Sequence, residues 1–258
     1  MIRCFRKSRA AFVGIIVVTL ILAAAVIWQD RGRPIYIPIL ACTLLLLLGI
    51  VCARLAGNLI ADREHMRLLS LLHVSLEPQP FIEQYEPLIA RLPQESAQRP
   101  VMKGYLSSGY AAAGGFEKAL AFLPEEEDGP AAALKGVRLA ARASCFLYLG
   151  AEEQAAAQIG KLSAVIASAE KPALKESLAA QRDLLSARLS ILRGETADRA
   201  WLSQQLNTAP YRLRRLEILH ALAEDARNQH LPALQPCLKK LREEAGKTWY
   251  GDWANRIS

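Results

Sequence analysis

The side chains best suited to chemistry in this 258-residue chain are four histidines and one acidic run. The histidines show neither an H-E-x-x-H pattern nor another spacing typical of a zinc site: His65, His73, His220 and His230. His73 lies in the apolar stretch LSLLHVSL, which is typical of a partly buried histidine whose hydrogen bonds are satisfied. Residues 124–130, PEEEDGP, lack the alternating ligand spacing of a calcium loop and are interpreted as an exposed acidic connector. We therefore predict no metal site.

Sequence patterns that bind phosphates or activate a nucleophile are missing from the chain. It contains no G-x-x-x-x-G-K-[ST], no G-x-G-x-x-G and no G-x-S-x-G. Its five cysteines are scattered and include no C-x-x-C, so they imply no disulfide framework and agree with a reducing cytoplasm. We predict that the chain is not an enzyme and that it binds no cofactor.

The first quarter of the sequence holds two long apolar runs. They predict spans at about residues 11–28 and 35–54, each long enough to cross a hydrocarbon layer of roughly 30 Å as a helix. Only the segment QDRGRP separates them, and it contains a glycine and a proline. So short a connection predicts a transmembrane hairpin with both ends on one side of the membrane.

The basic residues next to the two runs predict the orientation of this hairpin. Seven lie at its outer ends and two lie between the spans: Arg3, Arg6, Lys7, Arg9, Arg54, Arg63 and Arg67 against Arg31 and Arg33. Because cytoplasmic flanks carry the excess of Lys and Arg, we predict a multi-pass protein of the cell (inner or plasma) membrane with its N-terminus and C-terminal domain in the cytoplasm. A signal peptide cleaved near residues 23–25 is the alternative, which the length of the first run and the presence of a second one disfavour.

The net charge of +7 belongs to the membrane-proximal part of the chain. Residues 1–67 hold nine of the 32 basic and three of the 25 acidic residues, which leaves 23 basic and 22 acidic residues for 68–258. The larger part therefore lacks the basic surface that phosphate binding requires, and we predict no nucleic-acid partner.

From residue 59 onward the sequence predicts helices without interruption by any strand-like alternation. Prolines alternate with turn residues in this part: Pro100, Pro130, Pro172 and Pro210 with Gly114, Gly150, Gly194 and Asn228. Proline suits the first turn of a helix, and Gly or Asn accepts the left-handed conformation that ends one. The turn residues are 36, 44 and 34 positions apart, which is typical of stacked helical hairpins in which each pair buries its apolar face against its neighbours.

Two of these units resemble the tetratricopeptide repeat (TPR). In YLSSGYAAAGGFEKALAFL the small, aromatic and turn residues stand where that family has them, and LAARASCFLYLGAEEQAAAQI is similar. The two units after them keep the turn and the length but lose most signature positions. The resemblance implies an α-hairpin superhelix over about residues 78–246, and an irregular helical bundle is the alternative.

The resemblance also implies a site, because the first helix of each unit lines a concave protein-binding groove in that family. The corresponding positions are mostly small: Val101, Gly104, Ser108, Ala111, Val137, Ala140, Ser144 and Leu147. Arg142 and Tyr148 are the nearest residues able to give directional contacts. These small side chains could equally serve only to pack the helices together.

The C-terminal tail, residues 247–258, concentrates three large aromatic side chains, Trp249, Tyr250 and Trp253. Exposed aromatic clusters tend to mark interfaces, so these residues could bind a partner or the bilayer surface. Alternatively they cap the last hairpin and cover its apolar end, as a terminal repeat must. We favour the cap.

Together these patterns predict an all-α membrane protein with four parts. They are a basic stub with the transmembrane hairpin (1–58), a juxtamembrane helix (59–77), the TPR-like domain (78–246) and the aromatic tail (247–258). The predicted function is that of a membrane-anchored scaffold or adaptor that binds another protein. The alternative is an accessory subunit of an intramembrane complex whose two spans make the main contacts.

Overall fold

The computed structural model describes residues 5–29, 32, 34, 36–124 and 132–257. Every regular element in these ranges is an α-helix, which confirms the predicted all-α fold class. The helices in chain order are α1 (Arg6–Gln29), α2 (Tyr36–His73), α3 (Pro78–Ala90), α4 (Arg99–Ala112), α5 (Phe116–Ala121), α6 (Ala132–Tyr148), α7 (Glu152–Ser168), α8 (Pro172–Leu192), α9 (Arg199–Asn207), α10 (Arg212–Asn228), α11 (Leu234–Glu244) and α12 (Trp249–Arg256).

Some of the sequence-based predictions fall on residues outside these ranges. Arg3, Arg31 and Arg33, which enter the orientation argument, lie outside the described residues, as does the acidic run after Pro124. The juxtamembrane helix predicted from residue 59 is not a separate element, because α2 continues without a break from Tyr36 to His73.

The chain divides into two compact units. The first comprises Met1–Leu68 with Pro87–Gln98, and the second comprises Leu69–Glu86 with Arg99–Ser258. The first unit therefore contains the two apolar runs, and the second contains the helices from α4 to α12.

In the first unit, α1 and α2 are long and apolar enough to cross a membrane. Only 11% of the most apolar 18-residue window of each helix is buried, whereas a core helix of a soluble protein would be mostly buried. The exposed side chains along both helices are large and aliphatic, for example Val17, Ile21, Leu44 and Leu48. Such surfaces suit a hydrocarbon environment.

The two apolar helices pack against each other through small residues. Gly49, Ala53 and Gly57 recur every four positions and so share one face of α2. A Cβ atom on Gly49 would lie 2.4 Å from Thr19 Cγ2, and the Ser8 hydroxyl donates a 2.6 Å hydrogen bond to the Gly57 carbonyl oxygen. Small residues allow this close approach of helix backbones. The hairpin therefore uses its own small-residue face internally.

We expect Gly49→Ile to loosen this hairpin, because the larger side chain overlaps Thr19. Overpacking costs about 1–3 kcal/mol, which corresponds to roughly a 5- to 150-fold change in an equilibrium. Cys42 Sγ lies 3.5 Å from the Ala23 carbonyl oxygen, so an Ala23→Cys variant reports the packing by forming a disulfide with Cys42. Gly49→Ile should slow that disulfide severalfold. Gly14→Ile is the control, since beyond the adjoining backbone of α1 no described atom lies within 4 Å of a Cβ at Gly14. Equal rates in both variants would contradict the packing described.

Three of the four turn residues that the sequence predicts in the second unit adopt the left-handed conformation. Gly114, Gly150 and Gly194 have φ angles of +83°, +70° and +78°, in the left-handed region that ends a helix. At the fourth predicted turn the left-handed residue is His230, with φ of 51°, and not Asn228. Asn228 is the last residue of α10, and its side-chain amide donates to the Ile191 carbonyl oxygen at 2.8 Å. Because its side chain has a partner on α8, Asn228 stays within α10, whereas the sequence predicts that it ends this helix.

Most successive helices of the second unit pack against one another, as α6, α7 and α8 do. Their shared apolar cluster includes Leu139, Leu162, Leu178 and Leu185, all nearly inaccessible to solvent. A smaller cluster of buried side chains surrounds Phe116 at the start of α5. The buried side chains therefore form more than one local core, as expected where neighbouring hairpins bury one another.

The C-terminal hairpin of the second unit contacts the beginning of that unit, which the sequence does not predict. The backbone N–H of Lys247 donates to the Leu76 carbonyl oxygen at 3.0 Å, and Lys247 Nζ lies 2.7 Å from Glu77 Oε1. Arg212 Nη1 donates to the Val74 carbonyl oxygen at 3.0 Å. These contacts close the row of hairpins, in place of the open row that the spacing suggests.

Candidate functional site

A cavity of about 110 Å³ lies within the second unit, where α4, α6 and α10 meet the end of α2 and the start of α12. Its walls combine hydroxyl, imidazole and carboxylate groups with small apolar side chains. The lining includes Ser107, Ser108, Ala111, Ala112, Ala141, Ser144, Cys145, Tyr148, Tyr211, Leu213, Glu217, Tyr250 and His73. A cavity of this size exceeds the roughly 10–15 Å³ needed for one water molecule several times over.

The structure brings four of the seven sequence-predicted binding residues to this cavity. Ser108 and Ser144, which are 36 residues apart, line it from equivalent positions of α4 and α6. Tyr148 and Tyr250 line it from α6 and α12, and their hydroxyl oxygens are 2.6 Å apart. Whether these residues contact a protein partner stays a prediction.

Arg142, the fifth predicted residue, is buried away from the cavity lining. Its guanidinium donates to the Leu123 carbonyl oxygen and lies 5.5 Å from the centre of the Phe146 ring. Leu123 follows the end of α5, so Arg142 provides a hydrogen-bond donor for a carbonyl group at that helix end. Arg142 thus packs its side chain inside the unit while its guanidinium forms a hydrogen bond.

Trp249 and Trp253, the remaining predicted residues, pack inside the unit around His220. The His220 ring centroid lies 4.2 Å from that of Trp253 and 5.2 Å from that of Trp249, and Trp249 also contacts Phe116 edge to face at 5.2 Å. Tyr250 and Trp253 are 4% and 8% exposed. This burial supports the interpretation of the tail as a cap over the apolar end of the last hairpin.

Arg188 of α8 supports the cavity wall from behind. It is 4% exposed, its guanidinium carbon lies 4.0 Å from the centre of the Tyr148 ring, and Nη1 donates to the Ser144 hydroxyl oxygen at 3.0 Å. Its buried Nε has no hydrogen-bond partner in the part of the chain that the structure describes. A buried guanidinium thus stands one hydroxyl group away from the cavity.

Several polar groups at the cavity were missed by the sequence analysis. Ser107 is fully buried, and neither its hydroxyl nor the buried Nδ1 of His73 has a hydrogen-bond partner among the described residues. The expectation that His73 has satisfied hydrogen bonds is therefore wrong for Nδ1. Tyr211 and Glu217 reach the cavity from α10 and the residue before it, and Glu217 Oε2 lies 2.8 Å from Arg214 Nη1. Among these residues, only Ser107 could have been inferred from the sequence as a cavity residue, because it is adjacent to Ser108.

The two paired tyrosines are neutral hydroxyl donors at ordinary pH. Burial raises the pKa of Tyr148, and it raises the pKa of Tyr250 as well. Because one hydroxyl donates to the other, the pair retains one proton that neither tyrosine uses.

Protonation of His220 provides a prediction about stability. Burial lowers the pKa of His220 well below 6.5, and the nearby guanidinium groups of Arg188 and Arg227 lower it further. As the pH falls below about 6.5 the unfolded chain binds a proton that the folded chain does not, so stability is complete above that pH and is lost below it. One such group contributes up to about 1.4 kcal/mol per pH unit, or roughly 2 kcal/mol at pH 5.

The measurement is urea unfolding of the full chain in detergent between pH 7.5 and pH 5, followed by tryptophan fluorescence. Burial raises the pKa of Glu224, and acidification through that group acts in the opposite direction. The His220→Leu variant isolates the histidine, and we expect it to lose less stability on acidification than the unsubstituted chain. Identical pH dependence of the two proteins would contradict the assignment.

In the described ranges, no group of three or more His, Cys, Asp and Glu side chains could hold a metal ion. The four described cysteines, Cys42, Cys52, Cys145 and Cys237, are free, while Cys4 lies outside those ranges. Burial raises the pKa of Cys145 to about 12, so this thiol is not a nucleophile at neutral pH.

Comparison with known proteins adds no relative: no family model matches the chain, and no curated protein or solved structure is detectably similar to it. The description of the site therefore depends on the geometry alone.

Proposed function

We propose that the chain is a membrane-anchored scaffold that binds another protein through its TPR-like helical unit. The hairpin of α1 and α2 spans the cell membrane in this proposal, with the N-terminus and the helical unit in the cytoplasm. The apolar surfaces of both helices and the excess of basic residues at the outer ends of the spans support it. Anchoring would confine the unit to the bilayer surface and raise its effective concentration toward membrane-bound partners.

The observation that carries the proposal is the exposure of one valine on α4 and one on α6. Val101 and Val137, two turns before the cavity residues Ser108 and Ser144, are 41% and 48% exposed although both are aliphatic. Apart from the adjoining backbone of α4, no atom of the described residues lies within 4 Å of a Cβ at Gly104, which is on the same face of α4 as Val101 and Ser108. We name Val101, Gly104 and Val137 the α4/α6 strip. These residues suit an apolar segment of a partner protein. The two valines expose aliphatic side chains, and Gly104 has no side chain that would block the approach of the partner.

Two other positions that the TPR resemblance assigns to the groove do not belong to this strip. Ala140 and Leu147 are 7% and 6% exposed, and both lie in the apolar cluster of α6, α7 and α8. Ala140 and Leu147 therefore pack between helices, which is the alternative role that the sequence allows for these residues.

The alternative function, an intramembrane subunit, has less support. Its strongest sequence feature is the small-residue face of Gly49, Ala53 and Gly57, and α1 of the same chain already occupies that face. A partner helix would have to use the aliphatic surfaces of the hairpin, which suit lipid equally well.

The test is site-specific photo-crosslinking in native membranes with the probe at Val101 or at Val137. The control position is Ala157, an exposed residue of α7 outside the strip. We expect the same membrane protein to be captured from both strip positions and not from Ala157. Capture only from probes placed in the spans, such as at Leu44, would contradict the proposal and favour the intramembrane subunit.

A further inference from the structure

Two polar groups in the lining of the cavity are buried without a hydrogen-bond partner among the described residues. Ser107 is fully buried, and its hydroxyl has no such partner. The buried Nδ1 of His73 has none either. Both residues line the cavity. Buried polar groups without partners are costly, so a bound molecule that forms hydrogen bonds with them would stabilise this part of the unit.

The lining offers hydrogen-bond donors on some helices and an acceptor on another. On α4 and α6, the Ser107 hydroxyl can donate, and so can that of Ser144, because the Ser144 oxygen already accepts from Arg188. On α10, the Glu217 carboxylate can only accept. Burial lowers the pKa of His73, so its ring is neutral at pH 7 and Nδ1 carries either a proton or a lone pair. A ligand that both accepts and donates suits this combination.

The charges near the cavity offset one another. Glu217 is the only charged group in the described lining, and its Oε2 lies 2.8 Å from Arg214 Nη1. Behind the lining, two carboxylates, Glu217 and Glu224, act on the buried guanidinium of Arg188. An ion that entered the cavity would lose its hydration shell and meet like charge as well as opposite charge, which is costly. The cavity therefore favours an uncharged ligand.

The remaining wall favours a ligand with a short aliphatic part. It is formed by Ala111, Ala112, Ala141 and Leu213. The volume of about 110 Å³ has room for several water molecules, but a buried water typically makes about three hydrogen bonds and these side chains offer none. Because displacement of poorly bound water by an apolar group favours binding, a small ligand with one polar end suits the cavity better than water alone.

We propose that the cavity binds a small neutral primary carboxamide. Its carbonyl oxygen accepts from the hydroxyl groups of Ser107 and Ser144, and its N–H groups donate to the Glu217 carboxylate. Its aliphatic part lies against Ala111 and Leu213. A carboxamide carries its acceptor and its donors on two different atoms, whereas an alcohol has both on one oxygen. This site does not depend on the protein partner proposed above, so either proposal can fail while the other stands.

Ligand-observed NMR titration of the full chain in detergent tests the ligand class with four probes of similar size. Butyramide is expected to bind at least about tenfold more tightly than butyrate and n-butylammonium, because both ions would lose their hydration. Pentan-2-one keeps the carbonyl group and the shape of butyramide but lacks the N–H groups, so it should bind about fivefold more weakly.

Three results of this titration would overturn the proposal. Tighter binding of either ion than of butyramide would contradict the uncharged ligand. Equal binding of pentan-2-one and butyramide would show that the N–H groups have no acceptor in the cavity. Binding of none of the four probes would mean that the cavity holds water only.

Replacement of Ser107 by alanine locates the site. Ser107→Ala should weaken butyramide binding about fivefold, because it removes one hydrogen bond to the carbonyl oxygen. It should not lower the free energy of unfolding, since the hydroxyl has no partner among the described residues. Ser163→Ala is the matched control, because the Ser163 hydroxyl donates to the Ile159 carbonyl oxygen in α7, outside the described lining. Equal affinities in the two variants would contradict the assignment.

Replacement of Glu217 by glutamine provides a readout that altered packing alone would not produce. Glu217→Gln removes the only carboxylate in the described lining and frees the guanidinium of Arg214. The ratio of the butyramide affinity to the butyrate affinity should therefore fall about fivefold or more. The Glu217 side chain is 24% exposed, so the variant is expected to fold even if a buried serine variant does not. An unchanged or increased ratio would overturn the proposal.

Discussion

Replacing Asp225 by alanine is expected to lower the free energy of unfolding of the second unit by about 3 kcal/mol. Asp225 is fully buried in α10; it accepts a hydrogen bond from the Ala197 backbone N–H at 3.1 Å and forms an ion pair with Arg199. Alanine would leave a buried N–H and a guanidinium without their shared acceptor. The carboxylate holds the loop between α8 and α9 against α10, so its loss should also loosen that hairpin.

The measurement is urea unfolding in detergent micelles, followed by tryptophan fluorescence. Asp225→Asn keeps one acceptor and should lose less stability than the alanine variant. Asp183→Ala is the control, because that carboxylate is 47% exposed and pairs only with the adjacent Arg182, and its removal should cost less than about 0.5 kcal/mol. A loss below about 1 kcal/mol for Asp225→Ala would contradict the role assigned to this residue.

Replacing Gly114 by alanine is expected to cost about 3 kcal/mol, from two separate causes. The backbone there has φ of +83°, and an alanine in the left-handed region costs about 1–2 kcal/mol. In addition, its Cβ would lie 2.5 Å from Trp249 Cδ1, far inside van der Waals contact. The Trp249 ring cannot move freely, because it packs edge to face against both Phe116 and Tyr148 at 5.2 Å.

Gly150→Ala separates these causes. Gly150 has a similar φ of +70°, but apart from its two chain neighbours no atom in the described part of the chain lies within 4 Å of its Cβ position, so alanine there carries only the backbone cost. Gly114→Ala should therefore destabilise the unit by at least about 1 kcal/mol more than Gly150→Ala in the same urea experiment. Equal losses would mean that the C-terminal helix does not pack on the turn at Gly114.

Local sequence patterns predict most of the fold because they report local physics. The helix starts and the left-handed turns of the second unit follow from proline and glycine, whose backbone preferences hold in almost any context. Asn228 is the exception, since a tertiary hydrogen bond to Ile191 keeps it in the helix and moves the turn to His230. A preference of one side chain is easily overridden when a partner elsewhere in the fold competes for it.

The cavity could be predicted only in part. Ser108 and Ser144 are recognisable because they occupy the same position in two successive units. The pairing of Tyr148 with Tyr250 joins residues 102 positions apart, and the contact of Lys247 with Leu76 closes an even longer loop. Neither contact leaves a periodic signal, because each depends on how the last hairpin packs against the first part of the unit. Arg188 and Glu217 were missed for the same reason.

We propose that the helical unit recruits a partner while the hairpin serves only as an anchor. Replacing residues 1–58 with an unrelated two-span hairpin of the same orientation tests it most directly, with photo-crosslinking from Val101 as the readout in native membranes. We expect the exchanged protein to capture the same partner as the unsubstituted chain. Loss of capture, in a protein that remains folded and inserted in the membrane, would contradict the account and assign the main contacts to the spans.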